Sequence, residues 1–331
     1  MGGSRFHIRK LPVIICLERG FLIIKLGGIS VPLAYFKNEF VALEQATISV
    51  ATHALNYGTG CFEGIRAYYN EEQDKLYILK LREHYERFMR SCSVMRIDPG
   101  HSVEDMINQT VELLRRQNFH QDVYIRPLAF KADPVIKVTL EGIHDEFAVF
   151  ALPMGDYLPT KGIHVMISSW RRLEDNAIPS RAKITGSYVN TALAVTDAHL
   201  AGFDDAIFLT ESGHVAEGSA ANLFMVRNGT LVTPAVTDNI LEGITRDIIM
   251  RLAQDAGIPV STRPIDRTEL YVSDELFLVG TGVQISPVTR IDHRNIGQGT
   301  VGPVTEGIQT RYNQAIRARL PEYGDWLTLV K

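Results

Sequence analysis

The sequence predicts an α/β chain divided into two domains. Short apolar runs with the alternation of strands take turns with longer runs at helical spacing. At 331 residues the chain is long enough for two cores. Near its middle, Pro153-Met154-Gly155-Asp156-Tyr157-Leu158-Pro159 has the composition of a linker between them.

Composition narrows the function. A formal net charge of -4 gives no electrostatic case for nucleic acid or an anionic membrane as partner. Cys16, Cys61 and Cys92 are scattered and odd in number, with neither a disulfide framework nor metal-ligand spacing. That usage fits a reducing cytoplasm.

The chain opens on a basic start followed by Leu11-Pro12-Val13-Ile14-Ile15-Cys16-Leu17. A signal peptide would need a small-residue cleavage site, and none follows. Glu18, Arg19 and Lys25 break the apolar run too early for it to span a bilayer. Met1-Gly2-Gly3-Ser4-Arg5-Phe6 lacks the Ser or Thr of a myristoylation site. The segment reads as an N-terminal extension.

Next, Ala34-Tyr35-Phe36 and Phe40-Val41-Ala42 flank Lys37-Asn38-Glu39 as a hairpin. His53-Ala54-Leu55-Asn56-Tyr57-Gly58-Thr59-Gly60-Cys61-Phe62-Glu63-Gly64-Ile65-Arg66 is rich in glycine. It lacks G-x-G-x-x-G spacing and a preceding strand, so a dinucleotide loop is a poor reading. By itself the block reads as a buried glycine-rich turn with core aromatics. Leu76-Tyr77-Ile78-Leu79 is a strand, and residues 82–95 have the length and residue types of a helix. Ser102 with Asp105 starts another helix as a capping box. Its core face is Val103, Met106, Ile107, Val111 and Leu114.

In Asp122-Val123-Tyr124-Ile125-Arg126-Pro127-Leu128, strand alternation puts Tyr124, Arg126 and Leu128 on one face and Val123 and Ile125 on the other. An arginine and a tyrosine side by side suit a carboxylate, and equally suit a sheet with one wet face. Residues 147–152 form a buried strand that closes the first domain. The second domain starts near His164-Val165-Met166-Ile167. Helices follow at 188–200, stopped by Gly202, and at 244–256, stopped by Gly257. Asn228-Gly229 is a hairpin turn. Glu275-Leu276-Phe277-Leu278-Val279 is a strand leading into Gly280-Thr281-Gly282, and Pro303 begins the last helix.

One stretch carries candidate chemistry. Ser180-Arg181-Ala182-Lys183-Ile184-Thr185-Gly186-Ser187-Tyr188 sets a lysine among small and apolar residues just before a helix. A free amine there can attack a carbonyl carbon. Most lysines are merely solvated, so the residue type alone decides nothing.

The downstream sequence decides more. Glu217-Gly218-Ser219-Ala220-Ala221-Asn222-Leu223-Phe224, then Leu231-Val232-Thr233, then Leu241-Glu242-Gly243-Ile244-Thr245-Arg246 resemble the signature of the class IV aminotransferases, the fold-type IV pyridoxal-phosphate enzymes. The block from His53 to Arg66 and the Tyr124-Ile125-Arg126-Pro127-Leu128 strand are similar to those of branched-chain amino-acid aminotransferases. The resemblance runs from Leu33 to the C-terminus. It implies an α+β two-domain fold of the D-amino-acid aminotransferase type. Residues 1–32 are then an extension of unknown function, 33–153 a small domain, 154–161 an interdomain loop over the substrate, and 162–331 a large domain with the cofactor lysine.

The resemblance also implies pyridoxal 5′-phosphate as cofactor. Lys183 is its covalent partner and the proton carrier, and Tyr188 bonds its ring oxygen. Glu217 sits by the pyridine nitrogen, where a carboxylate raises proton affinity. Ile244 and Thr245 at a helix start, Thr281 and Arg87 form the phosphate cup. For the substrate, Tyr57 and Phe62 are pocket walls, Arg66 adds positive charge, and Tyr124, Arg126 and Tyr157 line the pocket. Thr281 and Gly282 offer N–H groups to the α-carboxylate. Met154 departs from the Trp of some bacterial relatives, which leaves the pocket's shape open.

The implied reaction moves an amino group between leucine, isoleucine or valine and 2-oxoglutarate, in a cytoplasmic homodimer that completes the pocket. Same-fold alternatives are a D-amino-acid transaminase, an (R)-amine transaminase and aminodeoxychorismate lyase. Tyr124-Ile125-Arg126-Pro127 argues against these without excluding a dual activity. A binding protein that kept the fold is the rival of another class, and the presence of both Lys183 and Glu217 speaks against it.

Overall fold

The computed structural model describes residues 31–155 and 162–331. Tyr157 and most of the N-terminal extension lie outside them. Among the described residues the strands form two sheets.

The first sheet is antiparallel, in the order Leu327–Leu329, Lys75–Leu79, Ile65–Asn70, Val123–Lys131, Asp145–Pro153, Leu33–Phe36 and Glu39–Ala42. Gly60–Phe62 also pairs with Val123–Lys131. The first hairpin turns through Lys37 and Asn38, both at positive φ, the two-residue turn that matches strand twist. Helices Leu81–Val94 and Val103–Gln117 cover one face of the sheet, where Tyr85, Phe88, Met106 and Leu113 share a core with Ile65, Ile125 and Val149. Ser102 and Asp105 make the expected reciprocal cap. Val123–Lys131 alternates strictly: Val123 and Ile125 are buried in that core, while Tyr124 and Arg126 are half-buried on the other face. That other face turns towards the second sheet.

The second sheet is mixed. Its order is Val215–Gly218, Asp205–Leu209, Ile163–Arg171, Gln284–Ile291, Glu275–Gly280, Asn222–Arg227, Thr230–Thr233 and Val260–Thr262, with Arg294–Asn295 on Gln284–Ile291. Tyr188–Leu200 packs on one half of it, and Ile244–Asp255 with Pro303–Ile316 on the other. Asn228 and Gly229 take positive φ in the predicted hairpin.

The halves interlock. Tyr68 and Leu79 of the first sheet sit in one core with Phe224, Phe277, Tyr312 and Trp326. Arg317 grips both Asp122 carboxylate oxygens. Gly186 N–H donates to Gly58 O at 3.1 Å, and a Cβ on Gly58, at φ +67°, would lie 2.7 Å from Gly186 Cα. A late segment also joins the first sheet, because Leu327–Leu329 pairs with Lys75–Leu79.

Candidate active site

A cavity of about 520 Å³ lies between the two sheets. Phe62, Gly64, Arg87, Tyr124 and Arg126 line it from the side of the first sheet, and Lys183, Tyr188, Glu217, Ile244, Thr245, Thr281 and Gly282 from the side of the second.

The backbone at Lys183 is clamped before its side chain matters. Phe62 N–H donates to Lys183 O at 3.0 Å, Lys183 N–H donates to Ser91 Oγ at 3.0 Å, and Ile184 bridges to Cys61. The amine then donates to Tyr188 Oη at 2.6 Å and lies 4.9 Å from the Phe62 ring centroid. Tyr188 meets Phe62 edge-on, with centroids 4.7 Å apart. One hydroxyl and one aromatic wall thus orient the amine.

Glu217 is 4% exposed and surrounded by donors. Arg172 Nη2 lies 2.8 Å from Oε1, and Oε2 accepts from Asn222 Nδ2 at 3.0 Å and Leu241 N–H at 3.1 Å. Burial pushes its carboxyl up, and Arg172 is the main force pulling it back. The result is a carboxyl raised by burial and held by three donors in a dry place, facing the cavity.

Arg87 anchors the far end. It is 4% exposed, pairs with the fully buried Glu63 through Nε at 2.7 Å and Nη2 at 2.8 Å, and donates from Nη1 to Glu242 O at 2.9 Å. Burial opposes its charge, and Glu63 more than restores it. Beside it the helix Ile244–Asp255 begins, with first-turn N–H groups that lack helical partners. Gly243 is required there, since a Cβ would lie 1.8 Å from Asn222 Oδ1. A helix start beside a guanidinium favours an anion.

At the remaining end, Arg126 Nη2 donates to Tyr124 Oη at 2.8 Å, and the guanidinium lies 4.4 Å from the Phe62 centroid. Arg126 Nε is buried and has no partner among the described residues. Tyr124 Oη rests over Gly64, where a Cβ would come within 2.2 Å of it. Gly64→Ala should therefore destabilise the fold by about 1–3 kcal/mol through overpacking. Adding Tyr124→Phe should recover part of the loss in thermal melts. A single variant that melts at the wild-type temperature would show Tyr124 free to swing aside.

Two expected residues are placed elsewhere. Arg66, 1% exposed, is absent from the cavity lining. Its Nη2 donates to Met154 O at 2.7 Å and Gly155 O at 3.1 Å, and Nη1 to Gly282 O at 3.5 Å. Instead of charging the pocket wall, it ties Met154 and Gly155 to the Thr281-Gly282 turn. Tyr57, 36% exposed, is also off the lining. Arg172, which holds Glu217, went unnoticed in the sequence, and Asn222, Glu63 and Gly64 stood within its motifs without a role. Among the described residues no cluster of His, Cys, Asp and Glu suits a metal ion, and no helix is long and apolar enough to cross a membrane.

The chain matches the amino-transferase class IV family over residues 60–291. It is 45% identical over 307 residues to the probable branched-chain-amino-acid aminotransferase of Aquifex aeolicus, spanning 92% of this chain and 99% of that one. The crystal structure of the branched-chain aminotransferase from Thermoproteus uzoniensis with norvaline is similar with a TM-score of 0.88 at 40% identity, over 91% of this chain and 99% of that one. The branched-chain amino acid aminotransferase from Thermobaculum terrenum in its PLP-bound holo-form gives a TM-score of 0.87 at 34% identity, over 91% of this chain and 99% of that one.

Proposed function

Because this chain belongs to the class IV aminotransferases, and among them to the branched-chain-amino-acid aminotransferases, we propose that it moves an amino group between leucine, isoleucine or valine and 2-oxoglutarate in the cytoplasm, with pyridoxal 5′-phosphate as cofactor. The observation that carries this reading is one cavity faced by a lysine amine, a buried carboxylate and a buried arginine beside a helix start. These residues fit the cofactor: Lys183 for its aldehyde, Glu217 for its ring nitrogen, and Arg87, Ile244, Thr245 and Thr281 for its phosphate. When bound, the cofactor supplies an electron sink for the pair left at the substrate Cα.

The chain's own groups do the rest. Lys183 Nζ takes the proton from Cα, aimed by the Tyr188 hydroxyl at 2.6 Å. Glu217 holds a proton at the ring nitrogen, and Arg172, Asn222 and Leu241 N–H keep it anionic. Thr281 and Gly282 bind the α-carboxylate through their backbone, on a turn that Arg66 steadies.

Arg126 answers a two-substrate problem. One pocket takes an aliphatic side chain in one half-reaction and a carboxylate in the other. An apolar pocket would strand that carboxylate, which is costly. Arg126 has a buried N–H without a partner among the described residues and lies over the Phe62 ring, so it offers a charge beside an apolar wall. Arg126→Ala should weaken 2-oxoglutarate by about 2–4 kcal/mol and leucine far less. The two half-reactions, followed separately by cofactor absorbance, decide this; equal losses would assign Arg126 to the α-carboxylate or to the strand.

Tyr57 belongs to a second feature of the proposal. It shares an exposed apolar rim with Val50, Leu55, Ile136 and Val138, and His53 binds the two rim segments together through Lys137 O at 2.7 Å. A second copy of the chain covers this rim in the proposed homodimer. The reaction itself is tested with a donor panel against 2-oxoglutarate: the three branched-chain amino acids, an (R)-amine and a D-amino acid. Branched-chain donors should lead. An (R)-amine or D-amino acid in first place would move the chain to a same-fold alternative, and no transfer from any donor would end the enzyme reading.

A further inference from the structure

Behind the phosphate end lies a buried carboxylate to which the reaction gives no task. Glu63 is fully buried (0% exposed) in the Phe62-Glu63-Gly64 turn. Its Oε1 accepts from Arg87 Nε at 2.7 Å, and its Oε2 accepts from Arg87 Nη2 at 2.8 Å, from Gly64 N–H at 3.3 Å, and pairs with His84 Nδ1 at 2.8 Å. Burial by itself would raise the Glu63 carboxyl, yet Arg87 and His84 hold it well below the usual carboxylate range. Burial lowers His84 against the pull of Glu63. The pair therefore stands as one carboxylate against one guanidinium, with the imidazole as a hydrogen-bond partner.

Resting on the reading of this cavity as a cofactor site, we propose that Glu63 is the resident counter-ion of the phosphate-binding arginine. It neutralises and aims Arg87 while no phosphate is present, and shares it once one binds. An arginine has five N–H donors. Glu63 takes Nε–H and one on Nη2, and Glu242 O takes one on Nη1. One N–H on each terminal nitrogen is left for ligand oxygens, a fork that suits phosphate. Glu63 is the one carboxylate paired with Arg87 among the described residues; Asp247 acts on it only from further away. Without Glu63, the buried guanidinium would have a contacting anion only when phosphate is bound, and a buried charge with no partner is strongly destabilising.

The coupling has a sign. Glu63→Gln keeps the shape and removes the charge, so it should harm the cofactor-free protein more than the loaded one. The rise in melting temperature when pyridoxal 5′-phosphate is added to cofactor-free protein should then exceed the wild-type rise by about 3 °C or more. With pyridoxal, which lacks the phosphate, the two proteins should show the same rise. Inorganic phosphate alone should stabilise the cofactor-free variant more than the cofactor-free wild type. An equal or smaller rise with the phosphorylated cofactor overturns the proposal. A wild type that shows no rise at all instead overturns the reading of the cavity. If Glu63→Gln does not fold without cofactor, the Arg87→Met background decides. There Glu63 is a buried anion without its guanidinium, left with His84 and the Gly64 N–H, and Glu63→Gln should raise the melting temperature; a further fall would mean that Glu63 is structural and uncoupled from the phosphate site.

Discussion

Lys183→Ala should lose several orders of magnitude in turnover while keeping its fold. The variant removes both the covalent partner of the cofactor and the base proposed for the Cα proton. Little else depends on the side chain: among the described residues its amine has one hydrogen bond, to Tyr188, and the clamping contacts at this residue are all from the backbone. Alanine preserves those, so the melting temperature should stay near that of wild type. The measurement is a stopped assay on leucine beside a melt. A folded variant that retains near-wild-type activity would remove Lys183 from the mechanism.

Glu217→Gln should be the next most damaging change, at roughly a hundredfold or more in rate, by analogy with the loss of a fixed electrostatic partner. The local hydrogen bonds explain why an amide cannot substitute quietly. All three neighbours described above are donors, namely Arg172, Asn222 and the Leu241 N–H. The glutamine NH2 must face at least one of them. Turning its oxygen to Asn222 and Leu241 leaves Arg172 opposed by a donor, with no charge to answer its own. A stability loss of about 1–3 kcal/mol should accompany the rate loss. Cofactor content is read from absorbance, so a slow but fully loaded variant separates lost electronics from lost binding. Unchanged turnover would make Glu217 a purely structural anion.

Features written in local chemistry were legible in the sequence. The Ser102 and Asp105 cap, the Asn228-Gly229 turn and the Tyr124/Arg126 face each depend on residues a few positions apart. The strand Gly60–Phe62 was hidden in a block that reads as a glycine-rich turn. Its strand character comes from pairing with Val123–Lys131, about seventy residues away, and nothing local announces it. Arg66 was legible as important and illegible as to purpose. Its acceptors are backbone carbonyls of Met154, Gly155 and Gly282, and a carbonyl carries no signature in residue type. Glu63 stood in plain view within the motif, but its role depends on Arg87 arriving from the next helix with its back to the core. Arg172 is the same case from the other side of the cavity: one of two adjacent arginines, distinguished only by where its strand ends.

The return of a late strand to the first sheet sets an order of events during synthesis. Lys75–Leu79 can pair with Ile65–Asn70 early, but its other edge waits for Leu327–Leu329, and Leu76 O waits for Val330 N–H. About 250 residues must leave the ribosome in the meantime, with Leu76 and Ile78 on a strand open at one side. An open apolar edge is a template for pairing with another chain. The nascent protein thus spends that whole interval with its first sheet unfinished, and the emergence of residues 327–330 is the step that closes it.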